Sequence, residues 1–380
     1  MNNDYINNEV YAIVNDIHAM MTGSDEVAVV DTQSFIDFGN TILSSSDHTE
    51  TFLNAYLLRV ANTYDTFRPY NGKLKDLVLT GSEWGAIVQK IDAEVPDFVS
   101  DETFELEDGQ SVDQYVVRKP TGRQKLFIKR STYSNYVTIS KKLLKGAFLS
   151  EGAFLQWANM VAGKMRNKIE FATEGLVRMA IASYIANASE TQFVHLLTDY
   201  NAESGRTESG TELTDGEALL DKDFLAYAAG TMELFSKRLR DLSVSYNAEE
   251  AERHTPTGEQ RFLVYDLFQS RLQHVVQYQA YHKELVSLGE FIEVPYWQGE
   301  SARDTIIVTV DDGDGGTETK TVSKIMGFIF DKFSLGAHRS EEETLTTPVN
   351  ARGRYYNTFH FAEQLWFNDL SENGVVFCLD

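Results

Sequence analysis

Cysteine is almost missing from this chain: among 380 residues only Cys378 carries a thiol. One thiol can neither close an intrachain disulfide nor anchor a cysteine-based zinc site, so a reducing cytoplasm is the expected place of folding. Long apolar runs are missing as well. No eighteen-residue apolar stretch occurs, and Met1-Asn2-Asn3-Asp4 opens with neither a basic start nor an apolar segment, which disfavours a membrane span and a signal peptide. The chain has no phosphate loop, no G-x-G-x-x-G, no G-x-S-x-G and no H-E-x-x-H, so the common nucleotide, hydrolase and zinc-protease chemistries have no foothold. Positive charge is scarce too. Against 57 Asp and Glu stand 34 Lys and Arg, a formal charge of -23, and tight binding of nucleic acid by the whole surface is disfavoured because phosphate contacts need clustered cations.

What the chain does contain is core material: 42% hydrophobic residues and 12% aromatics, enough for two or three globular domains. Its charge is unevenly spread. From Arg118 to Lys145 there is no acidic residue, whereas Glu94, Asp97, Asp101, Glu102, Glu105, Glu107, Asp108 and Asp113 crowd the stretch before it. Within the basic segment Arg118, Lys119, Arg123, Lys125, Lys129 and Arg130 form the candidate contact set. Three readings compete for them: a solvated face, a nucleic-acid contact, and a basic arm that lies on an acidic neighbour of the same kind.

Hydrophobic spacing predicts helices at Tyr5 to Met21, stopped by Gly23, at Ser34 to Leu43, and at Glu50 to Tyr64, with a break at Pro69-Tyr70-Asn71-Gly72. Strand signals follow at Leu77-Val78-Leu79. Tyr115 to Lys119 and Lys125 to Lys129 flank Pro120-Thr121-Gly122, which predicts a charged hairpin with little core of its own. Ser150 is a plausible N-cap for one long apolar stripe running from Glu151 to Ala188. Between Thr191 and Leu335 a compact α/β unit is expected. Ala202 to Gly210 reads as a polar loop, Lys222 to Leu242 and Phe268 to Leu288 as helices, Arg261 to Tyr265 and Phe291 to Val294 as strands, and Ile306 to Val310 as pairing with Lys320 to Val322. The intervening Asp311-Asp312-Gly313-Asp314-Gly315-Gly316 reads as a hairpin tip: it lacks the alternating acids of a calcium loop, and Val322 stands where the twelfth-position Glu belongs. His360 and Glu363 fall on opposite faces of a strand and cannot share a ligand.

The closing segment is the most specific. Pro348 to Asn357 (Pro-Val-Asn-Ala-Arg-Gly-Arg-Tyr-Tyr-Asn) leads into an aromatic strand in which Tyr355, Phe359, Phe361, Leu365 and Phe367 fall on one predicted buried face. Thr358, His360 and Gln364 fall on the other. At ~3.3 Å per residue this strand reaches roughly 40 Å, about twice the usual length. The turn Asn368-Asp369-Leu370-Ser371-Glu372-Asn373-Gly374 is then expected to return the chain as an antiparallel partner, Val375-Val376-Phe377.

This ending resembles the closing strands of tailed-bacteriophage major capsid proteins, most closely those of small short-tailed phages. The resemblance implies an α+β capsid fold: an N-terminal arm (1–70), an extended β-hairpin loop (71–145), a peripheral domain with a long spine helix (146–190), an α/β axial domain (191–335) and the closing strands of the peripheral domain (336–380). It also implies self-assembly as pentamers and hexamers into an icosahedral shell, made in the host bacterial cytoplasm. A separate scaffolding protein and a portal protein are implied as partners, and the shell encloses double-stranded DNA without sequence-specific binding. No cofactor, metal, membrane or catalytic activity is implied. Under this reading the six cations from Arg118 to Arg130 meet an acidic strip of the next subunit. The alternatives are an encapsulin-like compartment of the same fold and, since acidic pairs are everywhere, an acidic carbohydrate-active enzyme.

Overall fold

The computed structural model of the chain describes residues 3–23, 27–61, 72–80, 88–94, 105–111, 115, 117, 119–128, 130–148, 164–277, 291–311 and 316–380. Three helices open it, α1 (Asn3–Thr22), α2 (Thr32–Ser44) and α3 (Ser46–Ala61). Gly23, at φ +67°, stops α1 where the sequence places the stop. Asp31 starts α2 with a capping box: its carboxylate accepts from the Ser34 amide at 2.7 Å while the Ser34 hydroxyl accepts from the Asp31 amide at 2.9 Å. Val10, Val14 and Ile17 lie on one face of α1 and close a small core with Phe35, Phe38, Phe52 and Phe148.

Then come the strands β1 (Val78–Thr80), β2 (Val88–Glu94), β3 (Thr121–Phe127) and β4 (Arg130–Ser140), followed by the short helix α4 (Lys141–Ala147) and the long helix α5 (Lys164–Ala186). The chain continues through β5 (Phe193–His195), α6 (Leu196–Glu203), α7 (Lys222–Arg238), β6 (Gln260–Tyr265) and α8 (Asp266–Arg271). It ends with β7 (Ile292–Val294), β8 (Ile306–Asp311), β9 (Thr317–Val322), β10 (Ile325–Asp331), β11 (Leu335–Thr346), β12 (Tyr355–Asn368) and β13 (Gly374–Cys378). The described part of the expected helix from Glu151 is α5; its proposed cap Ser150 and first turns lie outside the described residues. Where a polar loop was expected from Ala202, α6 runs to Glu203 and a further turn spans Arg206–Ser209. The expected helix from Phe268 changes to a π-helical stretch at Leu272–Gln277.

Two larger sheets carry the fold, in strand orders β1-β11-β12-β4 and β5-β13-β10-β6-β7, with two-stranded ribbons β2-β3 and β8-β9 beside them. α5 joins the two sheets. Its Thr173 hydroxyl accepts from Gln364 of β12 at 2.9 Å, and three turns on Tyr184 packs on Phe328 of β10 with ring centroids 5.5 Å apart. The larger core surrounds the five-stranded sheet and includes Leu176, Ile181 and Ile185 of α5. Gly336 marks the close approach of β1 to β11, since a Cβ there would lie 2.5 Å from the Leu77 carbonyl oxygen.

Three features of the sheets differ from the sequence expectation. First, β13 does not return alongside β12; it lies between β5 and β10 in the other sheet. Val375, Val376 and Phe377 are consecutive apolar residues and all fully buried, a pattern that suits a strand covered on both faces rather than the one-sided sheet of β12. Second, along the first part of β12 the buried face is the opposite one. Tyr356, Thr358, Ala362 and Gln364 are buried while Phe359 and Phe361 are only half-buried, because the N-terminal helices and α5 cover the even side. Two of the polar groups brought inside meet each other, the Thr346 and Thr358 hydroxyls being 3.1 Å apart. From Leu365 on, the odd positions are buried as expected. Third, Thr121 and Gly122 are not a turn. They belong to β3, which pairs with β2 in the register Lys90↔Lys125 and Asp92↔Arg123, while Tyr115 and Val117 lie outside any strand and are exposed. The register sets Asp92 opposite Arg123, and the two cations it also brings opposite each other, Lys90 and Lys125, are both neutralised by Asp369. The β8-β9 hairpin forms as expected, in the register Ile306↔Val322.

Candidate functional site

The β2-β3 ribbon has two faces, and the way each is turned defines the candidate site. Because side chains alternate, Lys90, Asp92, Arg123 and Lys125 share one face, and Gln89, Ile91, Gln124 and Leu126 the other. An isolated ribbon in water would put its charges outward. Here the charged face carries the bonds to the body, while Ile91 is 76% exposed and Leu126 and Ile128 are exposed as well.

The charged face is clamped at Asp369. This carboxylate is 2% exposed at its side chain and receives the Lys90 ammonium at 2.8 Å and the Lys125 ammonium at 2.7 Å. Lys90 also donates to the Phe333 carbonyl at 2.6 Å and reaches Glu372 at 3.2 Å, while Lys125 pairs further with Glu249. Arg253 closes the cluster by binding Asp92 of the ribbon and lying 3.5 Å from Glu372. Burial works against the charge on Asp369, but hydrogen bonds from Lys125, Lys90 and Ser371 outweigh it and hold the carboxyl well below the usual carboxylate range. Burial likewise opposes the Lys125 ammonium, and its bonds to Asp369 and Glu249 raise its pKa nonetheless. The Arg253 hydrogen bond keeps Asp92 low.

Asp369 is held by the segment expected to be a hairpin turn. That segment is buried: Asp369, Ser371 and Asn373 are each almost inaccessible, and backbone and side-chain bonds tie them to every neighbouring element. The Ser371 hydroxyl donates to Asp369 at 2.7 Å, the Gly374 amide to the Tyr246 carbonyl at 2.8 Å, and the Tyr184 hydroxyl to the Glu372 carbonyl at 2.6 Å. Gln192 adds bonds to the carbonyls of Gly374 (2.9 Å) and Tyr246 (3.0 Å). Gly374 has no room for a side chain, as a Cβ would meet the Tyr184 hydroxyl at 2.7 Å. The ribbon is thus anchored to a buried, densely hydrogen-bonded turn, and a charged cleft of about 440 Å³ lies between them.

Of the six candidate cations, Lys125 is taken up by its own chain. Lys119 is exposed, and Arg123 is exposed on the ribbon, where its charge helps to lower the pKa of Asp92 opposite. Arg130 opens β4 opposite Leu365. Arg118 and Lys129 lie outside the described residues. Lys90, Arg253, Asp369 and Glu372 were not singled out by sequence. The one local signal was the Asp369-x-Ser371 pattern of a side-chain-capped turn; the ribbon partners lie more than two hundred residues away along the chain.

A second unusual surface lies on the four-stranded sheet. Across the outward face, Leu345, Phe359 and Tyr136 stand in one row and Glu343, Phe361 and Ser134 in the next. Tyr136 is 67% exposed, with its ring 5.9 Å from that of Phe359. Among the described residues no group of three or more His, Cys, Asp or Glu is placed to hold a metal ion, and no helix is long and apolar enough to cross a membrane.

A body of two sheets bridged by one long helix, with a ribbon clamped to its side, is the fold of tailed-phage capsid subunits. Two solved structures match it at a TM-score of 0.54: a chain of the capsid structure of Staphylococcus phage Andhra, 11% identical, and a chain of the structure of the head fiber and inner core protein gp22 of native bacteriophage P68, 12% identical. Each match covers 84% of this chain and 87% of the other. No curated protein sequence matches the chain. The model of the Phi29-like phage major capsid protein family matches residues 10–378, nearly the whole length, and the chain belongs to that family. It is a structural protein of the phage capsid, not an enzyme, so the carbohydrate-active alternative falls away.

Proposed function

We propose that this chain assembles as pentamers and hexamers into an icosahedral phage head that encloses double-stranded DNA, in the cytoplasm of the host bacterium, with a separate scaffolding protein and a portal protein as partners. The observation that carries the reading beyond family membership is the inverted ribbon. Its polar face is fixed to its own body and its apolar face, Ile91, Leu126 and Ile128, is left to solvent. A lone chain gains nothing from leaving that apolar face to solvent, whereas a subunit that covers it with a neighbour does. In such a shell, 1–70 serves as arm, 71–145 as extended loop, 146–190 and 336–380 as peripheral domain and 191–335 as axial domain, with β13 lending its strand to the axial sheet. Arg118, Lys119, Arg123, Lys129 and Arg130 meet acidic surface on the next subunit. DNA fills the shell without base-specific contact, since the chain as a whole is strongly acidic. The family offers no support for the compartment reading, in which protein cargo replaces DNA. Expression with and without a co-expressed scaffolding protein, followed by negative-stain imaging and a nuclease-protection assay on particles from infected cells, tests the proposal. Closed shells with protected DNA are expected; shells filled with protein and free of DNA overturn it.

A further inference from the structure

We infer that the free edge of β4, residues 131–136, is an intermolecular pairing site that takes up an extended segment of a second copy of this chain. The inference rests on the shell-forming reading and adds to it a place and a bonding mode. β4 is the outermost strand of its sheet: it pairs with β12 from Tyr355↔Ser140 to Leu365↔Arg130, and among the described residues no strand pairs with its other side. A strand of 11 residues therefore presents a row of unpaired backbone donors and acceptors along one side. By contrast, the edge strands β1, β5 and β7 are only three residues each.

Long edges are normally guarded, and each usual guard is missing here. Between Arg130 and Lys141 there is neither a charged residue nor a proline. The register with β12 runs without a bulge. Among the described residues nothing covers the stretch either, since Thr132, Tyr133, Ser134 and Tyr136 are all exposed although Tyr133 and Tyr136 project to opposite faces of the sheet. Only beyond Val137 does the strand go under the N-terminal helices, where Ile139 is fully buried.

Charge selects the occupant. At -23 per chain, two copies repel wherever their acidic surfaces meet, and a backbone edge without side-chain charge is where they approach at least cost. The edge is also continuous with the ribbon, β3 ending at Phe127 and β4 starting at Arg130. A strand added to β4 from a neighbour thus arrives beside the outward apolar residues Leu126 and Ile128 and can cover them in the same contact.

Hydrogen exchange of the full-length protein, compared between purified particles and subunits dissociated from them, tests this directly. Amides in 131–136 that face the open edge should exchange quickly in subunits and about 100-fold more slowly in particles, as newly bonded strand amides do. A second arm uses Thr132→Lys with Ser134→Lys, which places charge on the edge; particle yield should fall at least about tenfold while the melting temperature of the subunit holds, and the control Thr132→Ser with Ser134→Thr should assemble normally. Particles whose 131–136 amides exchange as fast as those of subunits overturn the pairing alone, as do normal yields from the double-lysine variant. Protection that appears only when a different protein is added overturns the choice of occupant. A chain that forms no multimer under any condition overturns both this inference and the shell reading beneath it. Should the double-lysine variant melt early, the exchange comparison on the unaltered protein decides.

Discussion

The two main sheets of this protein use apolar residues in opposite ways. In the five-stranded sheet, β10 and β13 are buried at every position, with Phe328 and Phe330 stacked at 4.6 Å and Trp297 donating to the Ile325 carbonyl at 2.8 Å. In the four-stranded sheet, β12 turns threonine, glutamine and histidine partly inward and leaves Phe359, Phe361 and their neighbour Tyr136 on the outside. The first sheet is complete in one chain. The second, with the ribbon that grows out of it, leaves aromatic and aliphatic residues uncovered, and under the proposed shell reading the contrast separates the residues that fold the subunit from those that join subunits.

The sharpest way to break this comparison is to empty the complete sheet. Phe328 is fully buried between Phe330 and Tyr184. Phe328→Ala should cost about 3 to 5 kcal/mol of subunit stability and yield aggregated or unfolded chain, read by denaturant titration. A loss no larger than that of an outer-face aromatic would erase the distinction between the two sheets.

The clamp comes next. Asp369→Asn keeps the shape but leaves Lys90 and Lys125 facing a neutral group; the expected loss is about 3 kcal/mol, toward the low end for a broken buried pair because the lysines are partly solvated. The pH dependence has a definite sign. The folded-state pKa of Asp369 lies below its unfolded value, so its contribution is fully present above the ordinary carboxylate range and is lost as pH falls through that range and below it. Hydrogen exchange should show the ribbon, β2 and β3, released first in the variant or in acid. A ribbon as protected in Asp369→Asn as in the unaltered chain would mean that packing at Phe127 and Phe367, rings 5.7 Å apart, holds it instead.

A smaller effect of opposite sign is expected at Asp331. Burial raises the pKa of this carboxyl, and Glu372 and Glu259 push the same way against the hydrogen bond from the Phe333 amide. A folded pKa raised above the unfolded one means that the charged form costs stability at neutral pH, a cost that disappears as pH falls below the unfolded carboxylate value. Asp331→Asn should then melt at the same temperature or slightly higher at pH 7, by up to about 1 kcal/mol, with the difference closing toward pH 4. A destabilised variant at pH 7 would show the charge to be satisfied after all.

Much of this was legible beforehand, and where it was not the reason is physical. The N-terminal helices, β12 as a long strand, the β8-β9 hairpin and the α/β order of the middle follow from local periodicity and turn chemistry, which a sequence displays directly. Which side of β12 is buried does not, because Phe359 and Phe361 read as core by hydrophobicity alone while the helices that cover the other side lie hundreds of residues away. The partner of β13 was missed for a similar reason: a short turn suggests a hairpin, but three consecutive buried apolar residues call for a strand in the middle of a sheet. The basic segment was found as a charge pattern, yet its one clamped member, Lys125, is distinguished only by the distant Asp369.

The smallest effect on the subunit should be the most telling for the assembly. Ile91 and Phe361 lie on the outward faces of ribbon and sheet, Ile91 open to solvent and Phe361 half-covered by Phe359 at 6.2 Å. Replacing an exposed apolar residue removes little buried area, so Ile91→Ser should change subunit stability by no more than about 0.5 kcal/mol, and Phe361→Ser by about 1 kcal/mol. In a shell, however, the same area is lost at every copy of the contact, and contacts repeated around a closed lattice multiply a small deficit. Particle yield should therefore drop steeply, by tenfold or more for a deficit of ~1.4 kcal/mol per contact, while the melting curve of the free subunit stays in place. Should both variants assemble as well as the unaltered chain, the outward aliphatics and aromatics are ordinary surface, and the asymmetry between the two sheets concerns folding alone.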